Sequence, residues 1–378
     1  MLNKPTIGLA LSGGGYRATL FSVGTLWRLN ELGLLSKIKT MTSVSGGSIT
    51  AGYLACNWDA LDFNKKTGIS AKFSEVIAAP LIQFCSENLD VGSVLSGLIS
   101  FKDTIGDKVA KKYDKKLFDG RLLNSISVNA PQFIFYGTNF QTGSSIRFSQ
   151  KYISDWRLGI NRNTAIPMSK VVGISSAFPP VLSPVTLKVN PNDWEETNIS
   201  SSHDIDKLKT KLLLTDGGLY DNLGLEALTK GDKEYSHVIC CDAGAPFEVK
   251  SNIATNWAGQ FVRMTDIMIN QQRALRKRKL ISDYIDESNF FGGTYLGIGT
   301  AINDYKYPDS MTKDNEITAS LSKISTRLKA FSKSDTCRLI NWGYAISDTA
   351  VNRWCSDLII STAESDIKKW PFPDYRLD

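Results

Sequence analysis

Residues 6–48 read TIGLALSGGGYRATLFSVGTLWRLNELGLLSKIKTMTSVSGGS. The stretch divides into strand-like residues 6–11, a glycine loop at 12–15, helix-like residues 17–32, strand-like residues 38–41 and a serine turn at 42–48. Leu20, Val23 and Trp27 recur at helical spacing, so one face of the helix is predicted to bury against a sheet, and Gly24 lets that face approach closely. With a helix-like run at 49–56, the order strand, helix, strand, helix predicts a parallel sheet covered by helices, and hence the α/β class.

The serine turn carries a candidate nucleophile, Ser45. A serine on a sharp strand-to-helix turn needs small residues two places before and after it, because strand and helix approach closely there. Ser43 and Gly47 meet this requirement, although the usual G-x-S-x-G pattern has glycine where this chain has Ser43. The turn therefore predicts a hydrolase, and the alternative is a polar turn in which serine caps the next helix.

The glycine loop opens the first helix. Gly13, Gly14 and Gly15 leave backbone N–H groups accessible beside a helix N-terminus, whose dipole favours negative charge. Such a loop suits an oxyanion hole or a phosphate cradle. Gly13, Gly15 and Ala18 also match the dinucleotide fingerprint G-x-G-x-x-A, but the second strand ends in threonine and serine instead of the acidic residue that such a site needs. A non-catalytic or nucleotide-binding module that uses the loop for phosphate is therefore the alternative function.

A third loop, Asp216-Gly217-Gly218, follows strand-like residues 211–214. Asp-Gly is a common turn dipeptide, so a plain turn is the alternative interpretation. The serine turn, the glycine loop and the aspartate loop all follow strand-like runs, however, and the ends of strands in such a sheet form its binding edge. The combination predicts that the three loops share one site.

Histidine is scarce, with only His203 and His237 in the chain. Neither histidine lies in a motif with a nucleophile, so we expect both to be structural or solvated. A Ser-His-Asp triad would use Asp204 or Asp242 as its acid, and mutation of both histidines would then abolish activity. The sequence predicts that something other than histidine activates Ser45.

The charge balance favours anionic surfaces. Lysine and arginine number 44 against 38 acidic residues, and the pI is near 8.8. Basic runs at 108–116 and 273–279 are either solvated helix faces or contacts for anionic lipid headgroups. They lack the interleaved aromatic residues of nucleic-acid platforms, so we expect no nucleic-acid partner.

Hydropathy indicates how the chain meets lipid. No run reaches the roughly 18 uncharged apolar residues that span a bilayer, and the amino terminus has no secretion signal. We therefore expect a cytoplasmic protein with peripheral membrane contact.

The organisation indicates one elaborated α/β domain over residues 1–378, because there is no repeat, low-complexity linker or clean boundary. We expect a helical insertion or cap at 65–120 and a helical extension at 256–378.

Three motifs together resemble the patatin-like phospholipase family. They are Gly13-Gly14-Gly15-Tyr16-Arg17 for its oxyanion segment, Ser43-Val44-Ser45-Gly46-Gly47 for its nucleophile elbow and Asp216-Gly217-Gly218 for its D-G-G/A motif. Their order and separation match, and residues 175–180, SSAFPP, are similar to a small-residue and proline stretch of that family. The resemblance covers residues 7–242.

The resemblance implies a fold related to the α/β hydrolases, with a largely parallel central sheet, helices on both faces and helical insertions. It implies a catalytic dyad, in which Asp216 takes the proton of Ser45 and Ser45 attacks an ester carbonyl. The expected oxyanion donors are Gly13, Gly14 and Gly15, and the expected supporting residues are Arg17, Gly46, Gly47 and Gly217. Arg17 either supports the glycine loop, meets a phosphate headgroup or is solvated.

The resemblance also implies the partners. We expect a phospholipid or related acyl lipid as substrate, no cofactor and no metal. The sequence leaves open whether the protein has an activator and whether it forms an oligomer.

Overall fold

The structure, a computed structural model, describes residues 5–89, 105–179, 182–195, 203–230, 235–286, 291–325, 328–359 and 368–378. Its strands are β1 (Ile7–Leu11), β2 (Ile38–Ser43), β3 (Gln132–Asn139), β4 (Ser144–Ser149), β5 (Tyr152–Asp155), β6 (Gly159–Asn161), β7 (Val185–Lys188), β8 (Trp194–Glu195), β9 (Lys211–Asp216), β10 (His237–Asp242) and β11 (Gly292–Gly297). Its helices are α1 (Gly15–Glu31), α2 (Gly46–Cys56), α3 (Ala79–Cys85), α4 (Ile105–Tyr113), α5 (Met168–Ser175), α6 (His203–Leu208), α7 (Gly218–Asp221), α8 (Glu226–Thr229), α9 (Trp257–Ile285), α10 (Glu316–Leu321) and α11 (Lys333–Trp354).

The eleven strands of the described residues form one mixed sheet. Strands β11, β10, β1, β2 and β3 are adjacent in that order and parallel. Beyond β3 the sheet continues with antiparallel strands β4, β5, β6 and β8, while β9 and β7 add a branch. The predicted α/β fold with a parallel central sheet is confirmed, and the antiparallel strands extend that sheet.

Strand β9 reaches the sheet from an unexpected direction. It is antiparallel to β3 and pairs with residues 137–139, whereas β2 pairs with residues 132–135. Strand β4 occupies the opposite side of β3, so β2 and β9 share one side and approach each other end to end. The last residues of β2 and β9 therefore point toward the same place. Ser45 follows one of these ends and Asp216 forms the other.

Helices cover both faces of the sheet. Alternate residues of a strand point to opposite faces. In β1, Leu9 and Leu11 belong to the larger core, while Ala10 belongs to a second core with Val238 of β10 and Leu280 of α9. Burial on both faces fixes the register of the central strands.

Helix α1 is buried almost throughout because it lies between the sheet and α11. Gly24 faces α11 and not the sheet, since a Cβ at this position would lie 2.0 Å from the Ile340 carbonyl oxygen. Gly343 of α11 makes the reciprocal approach, with its added Cβ 2.1 Å from the Phe21 oxygen. The close approach predicted for Gly24 exists, but its partner is a helix from the carboxy-terminal part of the chain.

The peripheral segments extend this architecture. The predicted cap at 65–120 includes α3 and α4, and its residues 90–104 lie outside the described residues. The predicted extension at 256–378 includes α9 and α11 but also supplies β11 to the sheet. Within the described ranges, no helix combines the length and apolar character needed to cross a membrane.

Candidate active site

Ser45 lies on a strained turn between β2 and α2. Its φ of 51° and ψ of −119° fall in a region that residues with a side chain adopt at a cost of about 1–3 kcal/mol. Strain of this kind turns the serine side chain out of the strand and away from the helix, which is the geometry of a nucleophile elbow. Ser45 is partly exposed, while the residues on both sides of it are buried.

Three buried hydroxyl groups support the turn from below. The Ser45 N–H donates to Ser175 Oγ at 3.0 Å, and the Ser175 and Ser48 hydroxyls are 2.8 Å apart. Ser48 in turn donates to Ser43 Oγ at 3.0 Å. Ser43, where the usual motif has glycine, thus belongs to a hydrogen-bonded network that links α5 to the elbow. In the sequence these residues are only separate serines, so the network could not be predicted from it.

Replacing Ser175 by alanine is expected to lower kcat about tenfold and leave KM nearly unchanged. The Ser45 N–H would lose its acceptor on a partly buried turn, which costs about 1 kcal/mol or more and relaxes the strained turn. The measurement is steady-state turnover of a soluble ester. Ser176→Ala is the matched control, because the Ser176 hydroxyl bonds the Val172 carbonyl oxygen and the Tyr113 hydroxyl and no atom of the serine turn. Equal kcat losses in both variants would contradict the positioning role.

The glycine loop supplies fewer free donors than the sequence predicts. The Gly13 N–H donates to the Asn222 carbonyl oxygen at 3.0 Å, so Gly13 is not available as an oxyanion donor. The Gly14 N–H has no hydrogen-bond acceptor in the described part of the chain. Gly15 opens α1, where the first N–H groups have no intrahelical partner. The donors that the loop can offer are therefore those of Gly14 and Gly15.

The elbow and the glycine loop touch backbone to backbone. A Cβ on Gly46 would lie 2.1 Å from the Gly15 oxygen, and one on Gly47 would lie 2.6 Å from the Leu11 oxygen. Thr19 fastens the contact, because its hydroxyl donates to the Gly46 carbonyl at 3.0 Å. These small residues place the loop beside the serine.

Arg17 is buried and holds the loop from behind. Its guanidinium donates to the Ala243 oxygen at 3.0 and 2.6 Å and to the Ile324 oxygen at 2.6 Å. Burial lowers the pKa of Arg17 to about 10, which leaves the group charged at neutral pH. The solvated and headgroup-binding interpretations of Arg17 are wrong, because its side chain has no access to solvent.

Asp216, at the end of β9, is a buried carboxyl group with one satisfied and one unsatisfied oxygen. Oδ1 accepts the Gly218 N–H at 2.7 Å, while Oδ2 has no partner of ordinary hydrogen-bond geometry in the described residues. Burial raises the pKa of Asp216 to about 7, against the lowering effects of the Gly218 N–H and the nearby Ser45 hydroxyl. The next residue, Gly217, packs against Tyr136, whose carbonyl oxygen would lie 2.5 Å from an added Cβ.

Asp242 gives an internal comparison. Its Oδ1 accepts the Gly244 N–H at 2.7 Å, which repeats the arrangement at Asp216. Its Oδ2, however, accepts from Tyr295 and pairs with Arg273 at 3.1 Å. Asp242 is therefore a satisfied structural carboxylate.

The described histidine lies away from the elbow. His237 begins β10, so it lies at the amino end of a strand that is parallel to its neighbours, whereas Ser45 follows the carboxyl end of β2. It contacts Ser236 and Asp357. The side chain of His203 lies outside the described residues, as does that of Asp204.

The basic run at 273–279 is partly internal. Arg273 pairs with Asp242, and Arg276 pairs with Asp221 at 3.3 Å. The run was predicted to be either a solvated helix face or a contact for anionic lipid headgroups. Both interpretations are wrong for Arg273 and Arg276.

The fold and site define a class: an α/β protein in which a strained serine turn, a glycine loop and the last residue of a converging strand meet at one place in the sheet. The family model described as patatin-like phospholipase matches residues 9–229, more than half of the chain. The chain belongs to the patatin-like phospholipase family, as the motifs predicted. No curated protein sequence matches it.

Solved structures share the fold at low identity. Human GIVD cytosolic phospholipase A2 in complex with methyl gamma-linolenyl fluorophosphonate is 13% identical with a TM-score of 0.52, and the match covers 91% of this chain and 57% of that one. Another structure of human GIVD cytosolic phospholipase A2 is 12% identical with a TM-score of 0.51, and the match covers 91% and 61%. The chain thus spans about three fifths of the length of these proteins, and the likeness concerns the fold.

Proposed function

We propose that the chain is a serine lipid acyl hydrolase that cleaves carboxylic ester bonds of phospholipids or related acyl lipids through Ser45 and Asp216. One observation carries the proposal. A partly exposed serine on a strained turn lies near a buried aspartate that has an unsatisfied oxygen and a pKa of about 7.

In this mechanism the Ser45 Oγ attacks the ester carbonyl carbon while Asp216 Oδ2 takes the hydroxyl proton. The N–H groups of Gly14 and Gly15 stabilise the oxyanion that forms on the carbonyl oxygen. The alcohol product leaves with the proton that Asp216 holds. Asp216 then takes a proton from water as the water attacks the acyl-serine ester. The fatty acid is released, and the proton on Asp216 passes to Ser45 Oγ, which restores the hydroxyl and the carboxylate.

The raised pKa makes an aspartate a useful base. An aspartate in water has a pKa of about 3.9 and is a weak acceptor of a hydroxyl proton. With its pKa near 7, Asp216 stays mostly ionised just above neutral pH and is a much stronger base, which is the condition under which general base catalysis is most effective. No histidine is needed for this step.

Activity is expected to fall as the pH drops below about 7. The folded-state pKa of Asp216 is about 7, so the base form is lost by protonation below this value and is complete above it. We expect kcat/KM for a soluble ester to decline toward tenfold per pH unit on the acidic side and to level off above pH 8. A flat profile from pH 5 to 8, or a midpoint near that of an ordinary aspartate at about 3.9, would contradict the assignment.

The family supports an acyl-lipid substrate. The human enzyme with the same fold was solved with a fluorophosphonate that carries a linolenyl chain. The proposal includes peripheral contact with a membrane surface, where such substrates reside, and no cofactor.

The direct test is fatty-acid release from phospholipid vesicles by the wild-type protein. Release is the expected result. Nucleotide binding without hydrolysis of any ester would favour the alternative, in which the glycine loop is a phosphate cradle.

A further inference from the structure

Helix α9 carries an apolar stripe on its solvent face. Only three of the 29 residues of the helix are buried. The α9 stripe consists of large apolar side chains that are between 42% and 84% exposed: Trp257, Phe261, Met264, Met268 and Leu275. Their spacing of four, three, four and seven residues places them along one side of a helix. Amphipathic helices in globular proteins normally bury such a side in the core. An exposed apolar side of this size indicates an interaction surface.

The charges along α9 select the kind of contact. Arg278 and Lys279 are exposed and continue the same side beyond Leu275, and Lys279 also pairs with Asp283 one turn further along the helix. An exposed aromatic and aliphatic face followed by cations is the pattern of a helix that lies in the interface of an anionic bilayer, with tryptophan near the headgroups.

The preceding loop adds to the surface. Val249 and Ile253 are also exposed, at 91% and 50%, immediately before the helix begins at Trp257. Together with the α9 stripe, these two side chains widen the exposed apolar surface beyond one side of the helix. A bilayer accommodates the loop side chains as well, so the observations favour lipid over a second copy.

The helix is fastened to the candidate active site. Gln272 Nε2 donates to the Gly218 carbonyl oxygen at 3.0 Å, and the N–H of the same Gly218 donates to Asp216 Oδ1. Arg276 also pairs with Asp221, the last residue of the short helix α7 that begins at Gly218. When a surface binds the α9 stripe, these contacts therefore keep the aspartate loop close to that surface.

We infer that the α9 stripe is the membrane-docking surface of this protein and that its occupant is a phospholipid bilayer with anionic headgroups. The inference rests on the proposed function in its choice of lipid, and it adds the residues that make the contact. The apolar side chains enter the headgroup region, and the exposed Arg278 at the end of the stripe faces the anionic lipids, beside the Lys279–Asp283 pair.

The experiment compares binding to vesicles of phosphatidylcholine and phosphatidylserine, in a Ser45→Ala background that stops hydrolysis. The double variant Trp257→Ser with Phe261→Ser is expected to lose at least about tenfold in partition coefficient. The matched control, Phe140→Ser with Trp354→Ser, removes one phenylalanine and one tryptophan of 49% and 54% exposure outside α9. It is expected to bind like the parent. The stripe variant should also unfold cooperatively at a Tm close to that of its parent, which shows that it is folded.

The outcomes separate the two proposals. Unchanged vesicle binding of the stripe variant would overturn the docking surface. The docking surface would also be overturned if the substitutions abolish self-association, measured by light scattering, and leave vesicle binding intact, because a second copy would then cover the stripe. Vesicle binding through the stripe by a wild-type protein that hydrolyses no ester would support the docking surface and overturn the proposed function.

Discussion

Ser45→Ala is expected to abolish ester hydrolysis, with a loss of at least about 10⁴-fold in kcat. The oxygen that would form the acyl-enzyme is removed, and residual catalysis by the remaining oxyanion donors is small beside the covalent route. Alanine keeps the size of the site and the strained backbone, so substrate binding should change little.

The strained turn provides a check on folding. Glycine adopts positive φ without the penalty that a side chain brings, so Ser45→Gly should be inactive yet have a higher Tm than Ser45→Ala. Thermal unfolding and turnover of a soluble ester measure the two effects. Ser74→Ala, at an exposed position, is the control and should keep full activity. Substantial turnover by either Ser45 variant would show that another residue is the nucleophile.

Asp216→Asn is expected to lower kcat by about 10²–10⁴-fold, the usual contribution of a general base. The amide keeps an oxygen for the Gly218 N–H but cannot take the Ser45 proton. The acidic limb of the pH profile should disappear with the carboxyl group. A variant that keeps this limb with a midpoint near 7 would place the titrating group elsewhere.

The same substitution is expected to raise the Tm when unfolding is measured above neutral pH. The pKa of Asp216 is about 7 when folded and about 3.9 when unfolded. The folded state therefore holds a proton that the unfolded state has lost between these values, so this group's contribution to stability falls as the pH rises through them. Above pH 7 the folded chain contains a buried charge with no ionic partner among the described residues, and asparagine removes that charge. The gain in Tm should be larger at pH 8 than at pH 5.

Asp242→Asn is the matched control for Asp216. Both carboxyl groups are buried at strand ends and accept a glycine N–H at 2.7 Å, but only Asp242 pairs with an arginine. Asparagine at 242 would leave the Arg273 charge without its partner, so this variant should lose stability at pH 8. Opposite Tm shifts in the two variants are the expected result. Shifts of the same sign would contradict the role given to Asp216.

Local signals in the sequence predicted the parts of the site. The strand before each loop, the small residues around Ser45 and the three glycines of the loop are all properties of adjacent residues, and the structure contains each of them. The α/β class follows from the same signals, because the order of strands and helices restricts the connections.

Features that depend on distant residues could not be predicted in this way. The antiparallel direction of β9 is set by its pairing with β3 and β7, and nothing in residues 211–216 encodes it. The Gly13 N–H is taken by Asn222, about two hundred residues away in the chain, which left Gly14 and Gly15 as donors. In the sequence, Arg17 resembles an exposed residue in the first turn of a helix. In the structure, its guanidinium is bonded to the carbonyl oxygens of Ala243 and Ile324.

The most direct test of Ser45 as a nucleophile activated by Asp216 is labelling with a fluorophosphonate, followed by mass spectrometry of the peptides. Such reagents react with activated serine hydroxyls. We expect one modified residue, Ser45, labelled rapidly at pH 8, slowly at pH 5 and slowly in Asp216→Asn at both pH values. A label on another serine, or a rate at Ser45 that neither low pH nor Asp216→Asn reduces, would contradict this mechanism.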